Sequence, residues 1–146
     1  MQDLAAFKAD MKTVSQGGFS LIGRRHIRSN NSWLHNSHRL LKGPNRCTLM
    51  IHPDDAKGLG LSEGDSAQVS NHVGSIELPI EITEDIMAGV VSIPHGFGHG
   101  RKGVKLSVAS TNPGVSINDL TDPALVDDLS GNAVLSGIPV EISRAV

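Results

Sequence analysis

The stretch Ile76-Glu77-Leu78-Pro79-Ile80-Glu81-Ile82 decides the architecture. Ile76, Leu78, Ile80 and Ile82 alternate with Glu77, Pro79 and Glu81, the two-residue period of a strand with one face in a core and the other in water. Pro79 falls on the outward set and has no N–H to give to a ladder, which predicts an edge strand or a bulge there. The same alternation returns near the C-terminus, where Ile138, Val140 and Ile142 interleave with Pro139 and Glu141. Residues 19–23 are largely apolar and read as a strand buried on both faces. Short apolar runs at 48–51, 67–70 and 90–93 add further strands, and 104–108 offers a seventh. Turn residues separate them, as in Asn71-His72-Val73-Gly74. Pro53 followed by Asp54 and Asp55 starts a short helix, because proline is tolerated at the first helical position and acidic residues suit the helix N-terminus. Gly58 and Gly60 stop it within about two turns. The pattern predicts a compact, mainly β barrel of six or seven strands with short helices.

Composition narrows the function classes. The chain has 146 residues, enough for one domain with a real core. Its single cysteine, Cys47, excludes an intrachain disulfide framework and any multi-cysteine metal site, and reads as a packed residue. No apolar run approaches the about 18 residues of a membrane helix, and no secretory leader is evident, so a cytoplasmic, membrane-free setting is expected. Residues 3–11 read as a short helix, with Leu4, Phe7 and Met11 on one face. Residues 1–18 are expected to be that helix or a linker remnant, and 19–146 the barrel domain. Charge is unevenly divided. Seven basic residues and no acidic one lie between Met11 and Pro53, against six basic and fifteen acidic residues elsewhere. A one-sign block in a mildly acidic chain is a candidate anion-binding surface, or a solvated basic face.

Three segments could carry binding chemistry. The first is Gly23-Arg24-Arg25-His26-Ile27-Arg28-Ser29-Asn30-Asn31-Ser32-Trp33-Leu34-His35-Asn36. Arginine forks suit bidentate phosphate contact, while Asn and Ser can read the edge of a purine or pterin. Trp33 taken alone reads as a core anchor. The second is Pro94-His95-Gly96-Phe97-Gly98-His99-Gly100-Arg101-Lys102-Gly103, where glycines let the backbone approach an anion closely. Gly98, Gly100 and Gly103 match G-x-G-x-x-G literally, but a strand rather than a helix is expected after them, so no dinucleotide-binding strand–helix–strand unit is read. The third surrounds Asn118-Asp119, which can accept from the amino groups of a guanine or pterin, or form a local turn. The pairs His95/His99 and His35/His38 have metal-ligand spacing, but the glycines oppose a helix at the first pair and no metal ligand is nominated. No catalytic pairing is found, and the chain reads as a binder.

These residues carry a family resemblance. Leu21-Ile22-Gly23-Arg24, Asn31-Ser32-Trp33-Leu34-His35-Asn36, Ile51-His52-Pro53-Asp54-Asp55-Ala56, Leu59-Gly60-Leu61-Ser62-Glu63-Gly64-Asp65, Ala88-Gly89-Val90-Val91-Ser92-Ile93-Pro94-His95-Gly96 and Asn118-Asp119-Leu120-Thr121 stand in one order over about residues 19–143. In them the chain resembles the C-terminal molybdopterin-dinucleotide-binding domain of the dimethyl-sulfoxide-reductase family of molybdenum and tungsten oxidoreductases, nearest to formate-dehydrogenase-like members. The resemblance implies a double-psi β-barrel. It implies a molybdopterin guanine dinucleotide as cofactor, contacted by Gly23, Arg24, Arg25, Asn31, Ser32, Trp33, His35, Asn36, His95, Gly96, His99, Asn118 and Asp119. It implies as partners the remaining catalytic domains or subunits of an oxidoreductase, which would supply metal ligands and electron-transfer centres. One departure is Asp128-Leu129-Ser130-Gly131, which lacks a proline usual in the family and weakens any role for Asp128. A rival reading is a non-catalytic barrel that binds protein or nucleic acid. Nucleic acid is disfavoured because Trp33 is the only aromatic between Arg24 and Arg46. A self-processing barrel enzyme is disfavoured by the lack of a nucleophile.

Overall fold

In a computed structural model the protein is described over residues 18–127 and 130–145. The expected helix at 3–11 and the departure at Asp128-Leu129 lie outside the described residues. Six strands form: β1 (Phe19–Arg24), β2 (Leu49–Ile51), β3 (Ser66–Ser70), β4 (Ser75–Ile82), β5 (Val90–Pro94) and β6 (Ile138–Arg144). They close into a barrel in the order β1-β5-β2-β4-β3-β6. The pairs β1·β5 and β2·β4 run parallel and the rest antiparallel. This is the expected double-psi β-barrel.

Alternation builds the core. Leu21, Leu49, Ile51, Ala67, Val69, Leu78, Ile80, Val91, Ile93 and Val140 all point inward and are buried. Each of the larger side chains contributes roughly 1.5–3 kcal/mol on burial. Ile117 and Leu120, on a single 3-10 turn (Ile117–Leu120), join the same cluster.

Three local expectations change. β4 is not an edge strand. Its first five residues pair with β3 and its last three with β2, so Pro79 stands where the strand exchanges partners. There its missing N–H interrupts neither ladder. Residues 104–108 form no strand: the closed barrel offers no free edge to pair with, and 104–107 are exposed. β1 is buried on one face only, with Leu21 inside and Ile22 outside.

Two helices flank the barrel. Helix α1 (His38–Leu41) is a single turn inside the long basic connection. Helix α2 (Pro53–Gly58) begins at its proline, and the His52 ring accepts from the Asp54 N–H. Asp55 of α2 reaches out to accept the Gly89 N–H at 2.7 Å, tying the helix to the turn before β5. This topology sets β1 and β5 side by side and parallel, so their two following loops leave the barrel at the same end.

Candidate functional site

The parallel register Arg24↔Pro94 places the 24–36 loop against the 94–103 loop. Their contact is close enough to require glycine. A side chain at Gly96, whose φ is +91°, would lie 2.3 Å from the Asn31 carbonyl carbon. At Gly23 a Cβ would lie 2.0 Å from the His95 Nε2, so the imidazole rests directly on the Gly23 backbone. The 94–103 loop in turn gives its Gly98 and His99 N–H groups to the Pro113 carbonyl, at 2.8 and 3.0 Å. Asn36 Oδ1 accepts from the amides of Val108 and Ala109, at 2.9 and 3.2 Å. Three stretches of chain are therefore locked into one face.

Inside that face lies a histidine pair. His35 and His99 are 2% and 9% exposed, and His35 Nδ1 meets His99 Nε2 at 2.8 Å. The His35 ring also lies against Phe97, with centroids 4.4 Å apart. Burial pushes both imidazoles below the usual histidine range. The neighbouring His99 ring adds to the reluctance of His35 to charge, and the Gly96 backbone opposes the shift at both. His35 Nε2 is buried with no hydrogen-bond partner among the described residues. An orphaned buried ring nitrogen in native packing calls for an explanation, and a bound ligand is one.

Beside His35 a cleft of about 620 Å³ opens. It is lined by the basic side chains Arg25, His26, Arg28 and Arg46, by the apolar Leu40, Leu41, Met50 and Phe97, and by Thr48, Glu63 and Glu81. The arginines divide by role. Arg24 is turned inward and spends its guanidinium on the carbonyls of Ser92 and Thr48 and on the Thr48 hydroxyl. Burial lowers its pKa, with Glu81 at 3.8 Å opposing the shift. Arg46 is held by the Leu40 and Lys42 carbonyls. Arg25 and Arg28 are more open, each with most of its fork uncommitted: Arg25 gives its Nε to Asn31 Oδ1, and Arg28 one terminal nitrogen to the Lys42 carbonyl.

The thirteen expected site residues thus separate. Arg24, Arg25 and His35 line the cleft. Gly23, Asn36, His95, Gly96 and His99 interlock the loops behind it. Asn31 lines a shallower hollow on the outer side of the same loop, with Arg25, Ile27 and Leu34. Ser32 and Trp33 are exposed and line neither the hollow nor the cleft; Trp33 is 84% exposed and anchors no core. The loop turns outward there because Asn30 and Asn31 both adopt positive φ, a conformation asparagine tolerates better than most residues. His35, two residues after Trp33, is the side chain that goes in. Asn118 and Asp119 sit apart from the cleft, where Asp119 pairs with Arg101 beside another hollow. Sequence reasoning did not nominate Arg28, Arg46, Thr48 or Glu81. The acid-free block contained the two arginines; nothing in the alternation of β4 distinguished Glu81 from any outward residue.

Among the described residues no group of three or more metal-ligating side chains exists, and no helix is long and apolar enough to cross a membrane. Cys47 is 2% exposed and packs its sulfur 3.4 Å from the Val115 N; burial pushes its thiol pKa up, which leaves it a packing residue.

Comparison with known proteins bears on this face. A family described as the molydopterin dinucleotide binding domain matches residues 19–139. The chain is 30% identical over 131 residues to the arsenate respiratory reductase molybdopterin-containing subunit of Chrysiogenes arsenatis, a match spanning 84% of this chain and 15% of that one. It is 30% identical over 113 residues to a tetrathionate reductase subunit of Salmonella typhimurium, spanning 66% of this chain and 11% of the relative. Among solved structures, acetylene hydratase from Pelobacter acetylenicus superposes with a TM-score of 0.74 at 20% identity, over 93% of this chain and 19% of the other, which speaks to the fold. The chain spans about 11–15% of the length of those curated relatives.

Proposed function

This chain belongs to the molydopterin dinucleotide binding domain family, and from that premise we propose that its cleft beside His35 holds the guanine-nucleotide part of a molybdopterin guanine dinucleotide. The observation that carries the proposal is the cleft's mixed lining: open arginine forks, the apolar side chains Leu40, Leu41, Met50 and Phe97, and His35, whose Nε2 is buried without a hydrogen bond. A diphosphate needs the first. Arg25 and Arg28 offer N–H pairs that match phosphate oxygens bidentately, without the desolvation cost of a deeply buried cation. A planar heterocycle suits the second, since Leu40, Leu41, Met50 and Phe97 give a ring an apolar surface. The volume of about 620 Å³ falls in the usual range of small-ligand sites. The residues present therefore fit the group.

When bound, the metal–pterin part of the cofactor, with molybdenum or tungsten, would supply the redox chemistry. This chain's residues bind and orient. Arg24 holds the end of β1 against β5 and the start of β2, so that Arg25 projects from a fixed strand end. Gly23, Gly96 and Asn36 keep the loops closed behind the ligand. The exposed Asn31, Ser32 and Trp33, and the Asn118-Asp119 pair, would meet the rest of the dinucleotide or neighbouring domains. The chain is proposed to act as a small C-terminal domain or subunit beside the catalytic domains of a larger oxidoreductase. Residues 1–18 would be a lead-in, 19–146 the binding domain and the setting cytoplasmic.

Guanosine diphosphate is the probe. Calorimetric titration of the 146-residue chain is expected to show saturable binding, weakened about three- to tenfold by Arg25→Gln or Arg28→Gln, as expected for loss of a charge-assisted contact. Neither residue is part of the core, so unfolding midpoints should not move. Variants that bind as tightly as the parent chain would refute the arginine forks as the phosphate site.

A further inference from the structure

We infer that Glu81 is the residue by which the cleft selects its heterocycle, taking a ring edge that presents an N–H next to an exocyclic amine. The inference rests on the cleft being the nucleotide site and adds what that site reads.

Glu81 lines the same cleft as the open arginine forks, with Oε2 3.8 Å from Arg24 Nη2. One carboxylate oxygen is fixed. Thr48 Oγ1 lies 2.6 Å from Glu81 Oε2 and 2.7 Å from Arg24 Nη2. A guanidinium only donates, so the threonine oxygen accepts from Arg24 and its single hydrogen goes to Glu81. The chain of donors Arg24 to Thr48 to Glu81 is thereby set in one direction, and the carboxylate is held as an acceptor. Its second oxygen, Oε1, makes no hydrogen bond to any described residue, and the side chain is 41% exposed. The other acid lining the cleft, Glu63, likewise has one oxygen engaged, by the Ile82 N–H at 2.7 Å. Of the two, Glu81 is the carboxylate oriented by a side-chain relay, from Arg24 through Thr48, in a lining otherwise of donors and carbon.

An ionised carboxylate accepts two parallel hydrogen bonds from adjacent N–H groups. Guanine presents such a pair on its pyrimidine edge, the ring N–H and the 2-amino group. Pterin presents the same 2-amino-4-oxo edge. Adenine has one amine beside a ring nitrogen lone pair, which would face the carboxylate with repulsion, and hypoxanthine lacks the amine. The shared chemistry of guanine and pterin is therefore what Glu81 would select, and a site built to hydrogen-bond a group discriminates strongly against ligands without it.

The test uses the full chain and four probes: guanosine, inosine and adenosine diphosphates, and neopterin. The parent chain is expected to prefer the guanosine over the adenosine diphosphate by at least about tenfold, with the inosine compound between them. Glu81→Gln should reduce the guanosine preference to under about twofold, because the amide supplies one acceptor and one donor. Glu81→Asp keeps the charge but withdraws it from the cleft, and should lose the preference as well; a general field effect would survive that change. Neopterin binding that falls with Glu81→Gln and competes with the guanosine compound assigns the edge to the pterin, whereas guanosine sensitivity alone assigns it to guanine. A preference unchanged in both Glu81 variants overturns the inference while leaving the arginine forks standing. Absence of binding by all four probes contradicts the cleft itself, and Glu81 with it.

Discussion

Arg24 and Arg25 are neighbours of identical chemistry with opposite fates. Arg24 is drawn inward by two carbonyls and a hydroxyl, whereas Arg25 stays more open with one bond to Asn31. Position decides it: Arg24 is the last residue of β1, within reach of Ser92 on β5 and of Thr48 just before β2, whereas Arg25 lies beyond the strand in the loop. Histidine placement follows similar logic. His35 and His99 share a hydrogen bond and almost no water, and burial in the folded state pushes both pKa values below the ordinary 6.5. The unfolded chain takes up protons as pH falls through about 6.5, while the folded chain resists, so the stability these groups contribute is present above that value and is lost below it. Asp65 and Asp122, with lowered pKa values, lose their contribution only near and below about pH 4. His26 and His95, also lowered chiefly by burial, act in the same direction, so the free energy of unfolding should fall between about pH 7.5 and 5.5. Urea titrations at both pH values check this, and His99→Gln should flatten the difference. Stability that is level or rising on acidification would show that the pair does not titrate as the geometry requires.

At the scale of elements, the loops matter more than the strands. Strand positions were legible in the sequence because a period of two survives in several short segments, and the helix at Pro53 was legible from its proline and acidic start. The run at 104–108 misled because β-branched residues suit many environments, and only closure of the barrel removes the edge it would need. Loop residues were legible as a group and not as individuals. The glycines and asparagines of the 23–36 and 94–103 segments marked them as special, but which side chain turns inward depends on contacts distant in the chain. Asn36 illustrates it. Expected among cofactor contacts, it spends its carbonyl oxygen on the Val108 and Ala109 amides, 72 and 73 residues away. Asn36→Ala should leave the barrel intact and free those two amides. Hydrogen exchange is the measurement: protection at Val108 and Ala109 should fall at least about tenfold, the equivalent of about 1.4 kcal/mol, while Val69 and Val91 in the strands keep theirs. Equal protection in the variant would remove Asn36 from the loop lock.

For the whole molecule, the charge division gains a location. The acid-free block from Met11 to Pro53 supplies all four arginines of the cleft, and the two acidic residues there come from outside it, from the turn before β3 and from β4. The result is a cleft lined by both arginines and carboxylates, which no composition statistic displays. The family match explains why one small barrel would carry such a cleft without its own metal ligands among the described residues: the chain corresponds to a minor fraction of each curated relative. The central claim is that this cleft, and not the Asp119 hollow or the outer hollow beside Ile27, receives the nucleotide. It is tested most directly by following backbone amide resonances of the full chain during titration with guanosine diphosphate. The account predicts saturable shifts at Arg25, His26, Arg28, Arg46 and Glu81, with Gly100, Ser116 and Asp119 unmoved; shifts confined to those last three, or no saturable shift at all, would contradict it.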